Sequence, residues 1–256
     1  MNNTLIYGHK SFISKNFLND YSNQLNFYLY KNRYNKKRSN IFEKKIHSFL
    51  EKNNINYIIN FAANNNNSQK ILDFEKILES NFHLPLSLIK VCEKLDLTLV
   101  LFLSKDMSNS NEIKNFYSLS KEMLKTYIAN TKINCKLRVF DIDSVYGPYD
   151  FNYRRLIPSI CSNLFKANSK KKIKILNIQQ KKNFIYVKKL NKLILKSLFD
   201  KKKFLIKDIK STRCSIKKII NIANKVKKHN NLKFIDKNHI DFLKTFMWYK
   251  DHYGKK

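Results

Sequence analysis

Short apolar runs alternate along the first 150 residues with segments whose apolar positions have helical spacing. Runs of strand length occupy residues 4–7, 25–30, 57–63, 97–103 and 135–140. The segments 41–51 and 117–131 between them predict helices, and 71–95 predicts a longer helix that Pro85 can kink. Strands and helices that alternate in this way predict an α/β chain with a doubly wound parallel sheet.

The pattern is looser after Tyr146-Gly147-Pro148. A helix at 156–167, a short strand at 173–178, an apolar segment at 184–187, a strand at 204–206 and a helix at 215–227 are predicted there. The sequence has no internal repeat, and no flexible linker separates its two halves. We therefore expect a domain at 1–148 and a smaller α/β lobe at 149–256 that leans on it and partly returns to its sheet.

The composition is that of a folded protein with one sizeable core. The 256 residues are 43% hydrophobic and 13% aromatic. No apolar run approaches the ~18 residues of a membrane span, and residues 1–4 begin no secretion signal, so a cytoplasmic protein without membrane contact is expected. Cys92, Cys135, Cys161 and Cys214 form no C-x-x-C pair, which predicts buried free thiols and no metal site.

The formal net charge of +32 raises the hypothesis of nucleic-acid binding. The lysines are spread along the whole chain, however, and asparagine is abundant while glycine and proline occur three times each. This is the bias that an AT-rich genome imposes on any protein. A nucleic-acid partner is therefore disfavoured, and a small anionic ligand is the better expectation.

The turn after the first strand is a candidate phosphate site. In doubly wound sheets this turn meets the cofactor pyrophosphate at a helix N-terminus. Of a G-x-x-G-x-x-G pattern only Gly8 is present, with Ser11 and Ser14 in the other two places. Serine is small and its hydroxyl can donate to a phosphate, whereas Lys10 either contacts the phosphate or is solvated.

The end of the second strand bears on the choice of nicotinamide cofactor. A carboxylate there favours the free ribose hydroxyl of NAD, and a basic residue favours the 2′-phosphate of NADP. Lys31 and Arg33 occupy this position without a nearby carboxylate. We therefore favour NADP over NAD.

Tyr117 and Lys121 are a candidate acid/base pair. Positions i and i+4 share one face of a helix, so both side chains can point into one pocket. A neighbouring ammonium lowers the pKa of a phenol and makes it a usable acid or base. The alternative is an ordinary helix face, because the chain is rich in both residue types.

These segments together resemble the extended short-chain dehydrogenase/reductase family, in its NAD-dependent epimerase/dehydratase branch that acts on nucleotide sugars. The resemblance covers nearly the whole chain. It is carried by the order and spacing of the turn at 5–14, the strand at 58–63 that ends in two alanines, Asn81, the strand at 101–104, the Tyr117/Lys121 pair, and the segments 145–148 and 183–187.

The resemblance implies a Rossmann fold and an oxidoreductase or isomerase mechanism. Tyr117 would move a proton at a sugar oxygen while hydride passes to or from the nicotinamide, and Lys121 would hold the ribose and lower the pKa of Tyr117. A homodimer through the helices at 71–95 and 117–131 is possible. The implied cofactor contacts are Gly8, Lys10, Ser11, Phe12, Ile13, Lys31, Arg33, Phe61, Ala62, Ala63, Asn81 and Lys121.

The chain departs from the family at the catalytic hydroxyl. The family places a serine or threonine where this chain has Lys105, and Ser104 precedes it by one residue. Because side chains alternate along a strand, Ser104 does not simply substitute. Three outcomes are open: the loop presents Ser104 or Ser108, Lys105 acts as a cationic donor, or activity is reduced.

We therefore expect NAD(P)-dependent epimerisation, 4-keto reduction or dehydration of a nucleotide-activated sugar, for surface polysaccharide. Dehydration is the least favoured, because Asp106 is followed by Met107 and not by glutamate. The alternatives are a non-catalytic dinucleotide-binding member of the same fold and a basic nucleic-acid-binding protein. The predicted substrate contacts are Asp106, Arg154, Arg155 and Lys182, the last in place of an arginine.

Overall fold

The structure, a computed structural model, describes residues 1–66, 70–105, 115–166, 177–228 and 239–254. The chain divides into two compact units. Unit 1 comprises residues 1–142 and 191–209, and unit 2 comprises residues 143–190 and 210–256.

Strands and helices alternate along most of the chain. The strands are β1 (Asn2–Tyr7), β2 (Leu25–Tyr30), β3 (Tyr57–Asn60), β4 (Thr98–Ser104), β5 (Lys136–Ile142), β6 (Ser144–Tyr146), β7 (Lys181–Tyr186), β8 (Phe204–Asp208) and β9 (Thr212–Ser215). The helices are α1 (Phe12–Tyr21), α2 (Ser39–Lys52), α3 (Ile71–Leu78), α4 (Leu84–Leu95), α5 (Phe116–Asn130), α6 (Leu156–Phe165), α7 (Val187–Leu198), α8 (Ile216–Lys228) and α9 (Ile240–Gly254).

Unit 1 is built on a parallel sheet with the strand order β2-β1-β3-β4-β5-β8. This confirms the predicted doubly wound α/β sheet. The common six-stranded order places a further strand beyond the second one. Here α2 leads from β2 directly to β3 on the other side of β1, so β2 is the outer strand of the described sheet. The order reverses between β1 and β3, and ligands of such sheets bind at this switch point.

The two faces of the unit 1 sheet are packed differently. Leu99, Leu101 and Leu103 of β4 belong to a hydrophobic core that also contains Leu88 of α4 and Leu124 of α5. Phe102, between them in sequence, points to the opposite face of the sheet. Phe102 stacks between Phe61 and Phe140 with ring centroids 5.5 and 5.9 Å apart.

The predicted helix at 71–95 is divided into three parts. A π-helical segment, Glu79–His83, separates α3 from α4. Pro85 lies in the first turn of α4, which continues directly from the π-helical segment. The interruption contains Asn81, four positions before Pro85, whose carbonyl cannot accept a hydrogen bond from the proline nitrogen.

Unit 2 contains a small mixed sheet in which β6 pairs with β7 in parallel and β7 with β9 antiparallel. Its core is aromatic, since Tyr146 stacks on Phe242 of α9 at 4.3 Å. The hydrophobic pattern did not predict β6, β9 or α9. Most of the strand predicted at 173–178 lies outside the described residues. Within the described ranges, no helix is both long enough and apolar enough to cross a membrane.

Candidate active site

The turn after β1 is packed against the backbone that follows β3. Gly8 has φ +80°, and a Cβ added to it would lie 2.4 Å from the backbone nitrogen of Ala62 and 2.7 Å from the carbonyl carbon of Phe61. A side chain at this position would be strained and would clash with backbone. Gly8 therefore brings two backbone segments together at the switch point of the sheet.

Ser11 shapes the start of α1. Its N–H donates to the carbonyl of Gly8 at 3.0 Å, and its Oγ accepts from the N–H of Ser14 at 3.1 Å. This is an N-cap, which leaves the hydroxyl hydrogen of Ser11 able to donate. Ser14 is fully buried, whereas Lys10 is exposed. Phe12 and Ile13 are half-buried in the first turn of the helix.

Lys31 and Arg33 lie at the same edge of the sheet as the Gly8 turn. Tyr7 and Tyr30 are in register as the last residues of β1 and β2, so Gly8 and Lys31 leave neighbouring strands at the same level. Both basic side chains are exposed. The predicted phosphate-binding and 2′-phosphate-binding residues thus belong to one edge of unit 1.

Lys121 is buried in α5, with its Nζ 2.7 Å from the carbonyl oxygen of Phe102 in β4. Burial lowers the pKa of this ammonium to about 8, because the charged form loses its hydration. Tyr117 lies one turn earlier and is half-buried. The two candidate residues therefore share α5, and the lysine is at the carboxyl end of β4.

Asn81 links the start of α5 to the loop after β3. Its Oδ1 accepts from the N–H of Asn64 at 2.8 Å, and its Nδ2 donates to the carbonyl of Asn64 at 2.9 Å and to Ser120 Oγ at 3.0 Å. Ser120 in turn donates to the carbonyl of Tyr117 at 2.7 Å. Asn81, predicted as a cofactor contact, thus makes these hydrogen bonds to the Asn64 backbone and to the Ser120 hydroxyl, and it holds the helix that carries Tyr117.

Lys105 is held at the end of β8. Its Nζ donates to the carbonyl of Ile209 at 2.9 Å and forms an ion pair with Asp208. Ser104, the last residue of β4, is half-buried and shares the side of the strand on which Phe102 lies. The position at which the family has its hydroxyl therefore carries an ammonium that is engaged with β8.

A family model matches residues 5–206, and its description is the NAD dependent epimerase/dehydratase family. The match covers well over half of the chain. The chain belongs to the NAD-dependent epimerase/dehydratase family. The resemblance stated from the motifs is thereby confirmed, and with it the Rossmann-like fold.

Several solved structures have the same fold. A UDP-N-acetylglucosamine 4-epimerase from Methanobrevibacter ruminantium, in complex with UDP-N-acetylmuramic acid, matches with a TM-score of 0.77 at 14% identity, covering 98% of this chain and 99% of that one. RMD from Pseudomonas aeruginosa, complexed with NADPH, matches with a TM-score of 0.75 at 12% identity and the same coverage. A UDP-glucuronic acid 4-epimerase from Bacillus cereus with NAD has a TM-score of 0.70 at 16% identity, again with this coverage.

Identities this low establish the shared fold and not a shared substrate. No curated protein matches the sequence. The matches span nearly all of both chains.

The predicted substrate residues of this epimerase/dehydratase family member lie mainly in unit 2. Arg155 donates to Asp150 Oδ2 at 2.7 Å and to the carbonyl of Val145, so its guanidinium holds the turn after β6. Arg154 and Lys182 are exposed. Asp106 and Ser108 lie outside the described residues. Within the described ranges, no cluster of His, Cys, Asp or Glu could hold a metal ion.

Sequence reasoning missed two elements of the site in unit 1. One is Ser120, whose place between Tyr117 and Lys121 was a usable signal, since a small polar residue there can bond back to the helix. The other is Tyr7, whose phenol contacts the segment after β2. No sequence pattern indicated the second contact, because it joins residues 25 or more positions apart.

Proposed function

We propose that unit 1 binds a nicotinamide dinucleotide and that the protein uses it to modify a nucleotide-activated sugar. Family membership and the Gly8 turn support the first part. The exposed Lys31 and Arg33, beside that turn, support NADP as the preferred cofactor. The residues proposed to hold the dinucleotide are those of the turn, the segment after β3 and Lys121.

The buried Lys121 ammonium, one helical turn from Tyr117 and 2.7 Å from the Phe102 carbonyl, carries the proposal. Its positive charge favours the phenolate of Tyr117 and so makes proton transfer at a sugar oxygen easier. A pKa of about 8 leaves Lys121 mostly protonated at pH 7. When bound, the nicotinamide accepts or supplies the hydride.

Epimerisation or 4-keto reduction is the proposed reaction, in the synthesis of a surface polysaccharide. Dehydration is less favoured, because the chain has Met107 after Asp106 where an Asp-Glu pair would be needed. Solved neighbours that bind UDP-sugars and either NAD or NADPH support this class of substrate and cofactor. Arg154 and Lys182, both exposed and basic, are the proposed contacts for the diphosphate of the sugar nucleotide.

The proposal is tested with the purified chain in two assays whose products are followed by NMR. Epimerisation is assayed with NADP⁺ or NAD⁺ and a panel of UDP- and dTDP-sugars, and reduction with NADPH or NADH and 4-keto sugar nucleotides. Tyr117→Phe should lower turnover by about a hundredfold or more, the usual contribution of an acid/base group. Tyr127→Phe, which changes another half-buried tyrosine of α5, is the matched control and should leave turnover unchanged. Equal turnover in both variants would refute the proposed role of Tyr117.

A non-catalytic dinucleotide-binding protein is the second candidate function. The ion pair of Lys105 with Asp208 favours it, because the residue in the place of the family's hydroxyl is engaged elsewhere. This candidate predicts NADPH binding without turnover of any sugar nucleotide. It also predicts that Tyr117→Phe changes at most the affinity for NADPH.

A further inference from the structure

The phenol of Tyr7 connects the end of β1 to the segment that follows β2. Tyr7 Oη donates to the carbonyl oxygen of Asn32 at 2.9 Å and accepts from the N–H of Tyr34 at 2.9 Å. Tyr7 is 7% exposed, and its bond with the Tyr34 N–H is buried, whereas its bond to the Asn32 carbonyl is partly buried. One side chain thus fixes the backbone on both sides of Arg33.

Packing holds the same segment further along. Tyr34 is buried, meets the ring of Phe42 edge-on at 5.0 Å, and has its Oη 3.4 Å from Ser87 Oγ. The N–H of Lys36 donates to Glu79 Oε1 at 3.1 Å. The backbone from Asn32 to Lys36 is therefore attached to β1, α2, α4 and the π-helical segment.

The anchored segment is strongly basic. Residues 31–38 contain five Lys or Arg residues, namely Lys31, Arg33, Lys36, Lys37 and Arg38, and no acidic residue. All five are exposed, whereas Tyr34 is buried. A basic group on a fixed backbone loses less conformational entropy when it binds a phosphate than one on a mobile loop.

We propose that Tyr7 is a positioning residue for recognition of a phosphate monoester on the adenosine ribose, acting by holding Arg33 beside the Gly8 turn. The guanidinium of Arg33 can pair with two phosphate oxygens at once, provided that its backbone is held in place. This proposal rests on the proposed function, since it requires that unit 1 binds the adenosine end of a dinucleotide. It adds a specificity role for a residue that precedes the glycine turn and touches no phosphate itself.

The test uses two fragments of the cofactor, 2′,5′-ADP and 5′-AMP, titrated into the full chain by calorimetry. The wild-type chain should bind 2′,5′-ADP more tightly than 5′-AMP. Tyr7→Phe should weaken 2′,5′-ADP binding by about tenfold, equivalent to the loss of one good hydrogen bond. It should change 5′-AMP binding by less than about twofold. Tyr28→Phe removes a phenol oxygen from β2 but keeps both hydrogen bonds of Tyr7, and it should leave both affinities unchanged.

The double variant shows whether Tyr7 acts through Arg33. Arg33→Gln should abolish the preference for 2′,5′-ADP, and adding Tyr7→Phe should weaken binding no further. Arg33 is exposed, so Arg33→Gln should fold and can be titrated even if Tyr7→Phe does not fold. Retention of the preference in Arg33→Gln, or an equal loss of both ligands in Tyr7→Phe, would overturn the role of Tyr7. Failure of the wild-type chain to bind either fragment would instead overturn dinucleotide binding by unit 1.

Discussion

The side-chain nitrogen of Lys121 lies 2.7 Å from the carbonyl oxygen of Phe102 and ties α5 to the carboxyl end of β4. The ammonium is buried, and this burial lowers its pKa to about 8 from an ordinary 10.5. A lysine in this state is both a structural link and an ionisable group near neutral pH. Its titration should therefore make the stability of the protein depend on pH.

Stability should rise with pH because of Lys121. Below pH 8 the residue is protonated in both the folded and the unfolded chain, so the folded chain bears the full free-energy cost of burying the charged ammonium. Between about pH 8 and pH 10.5 the folded chain releases the proton first, and the penalty is relieved. The free energy of unfolding of the wild-type chain, relative to Lys121→Met, should increase by about 3 kcal/mol across this range. Urea titrations at successive pH values measure the difference, and a difference that stays constant would contradict the lowered pKa.

Gly8→Ala should destabilise the protein strongly. The new Cβ would lie 2.4 Å from the Ala62 nitrogen, and φ is +80°. Strain of the left-handed backbone alone costs about 1–2 kcal/mol, and the backbone clash adds to this cost. Gly254→Ala is the control, because a Cβ there meets nothing within 4 Å. Urea denaturation should show a lower midpoint for the first variant and an unchanged midpoint for the second.

Arg138→Met should cost about 2–4 kcal/mol, because it removes several hydrogen bonds donated by a buried charged group. Arg138 is fully buried in β5, and its guanidinium donates to the carbonyls of Ser197, Asp200 and Lys203 at 2.7–3.2 Å. Removal would take one donor from each of these carbonyls, although those of Ser197 and Lys203 also accept from the N–H groups of Asp200 and Leu137. Arg213→Met, on an exposed position of β9, should change the free energy of unfolding by less than about 0.5 kcal/mol.

Asn81→Ala should cost about 2–4 kcal/mol, because it removes hydrogen bonds to both polar groups of the Asn64 backbone and to Ser120. Ser120→Ala removes only the bonds of one hydroxyl and should cost about 1 kcal/mol. Thermal unfolding of both single variants and of the double variant measures these terms. The double variant should be less destabilised than the sum, since the two residues share one bond. Strict additivity would show that the Asn81–Ser120 bond contributes no stability.

The cysteines should be unreactive in the folded protein. Cys92, Cys135, Cys161 and Cys214 are buried free thiols, and burial raises the pKa of each, that of Cys135 to about 12. Thiolates are the reactive form, so a disulfide reagent such as DTNB should modify them slowly at pH 7.5. All four should react at once in guanidinium chloride. Rapid reaction of one thiol without denaturant would show that its surroundings open in solution.

Local sequence patterns predicted the parallel sheet because its strands are continuous apolar runs bounded by polar residues. The range of β2 agrees with the prediction at both ends, and the helices α2 and α5 agree within two residues. The strands β6 and β9 are short and pair within a lobe whose apolar pattern is irregular, so periodicity did not indicate them. The π-helical turn at Glu79–His83 also escaped prediction, because Pro85 is the stronger local signal for a break.

The sequence by itself determined the family, the alternation of strands and helices before residue 143, and the positions of Gly8, Tyr117 and Lys121. These features depend on residue type and spacing within one element, and such information is local. Only the tertiary structure showed that Lys121 bonds the Phe102 carbonyl, that Lys105 pairs with Asp208, and that Tyr7 holds the backbone around Arg33. Those contacts join residues 19 to 103 positions apart. Their existence depends on which strands become neighbours, and this is decided when the whole sheet packs.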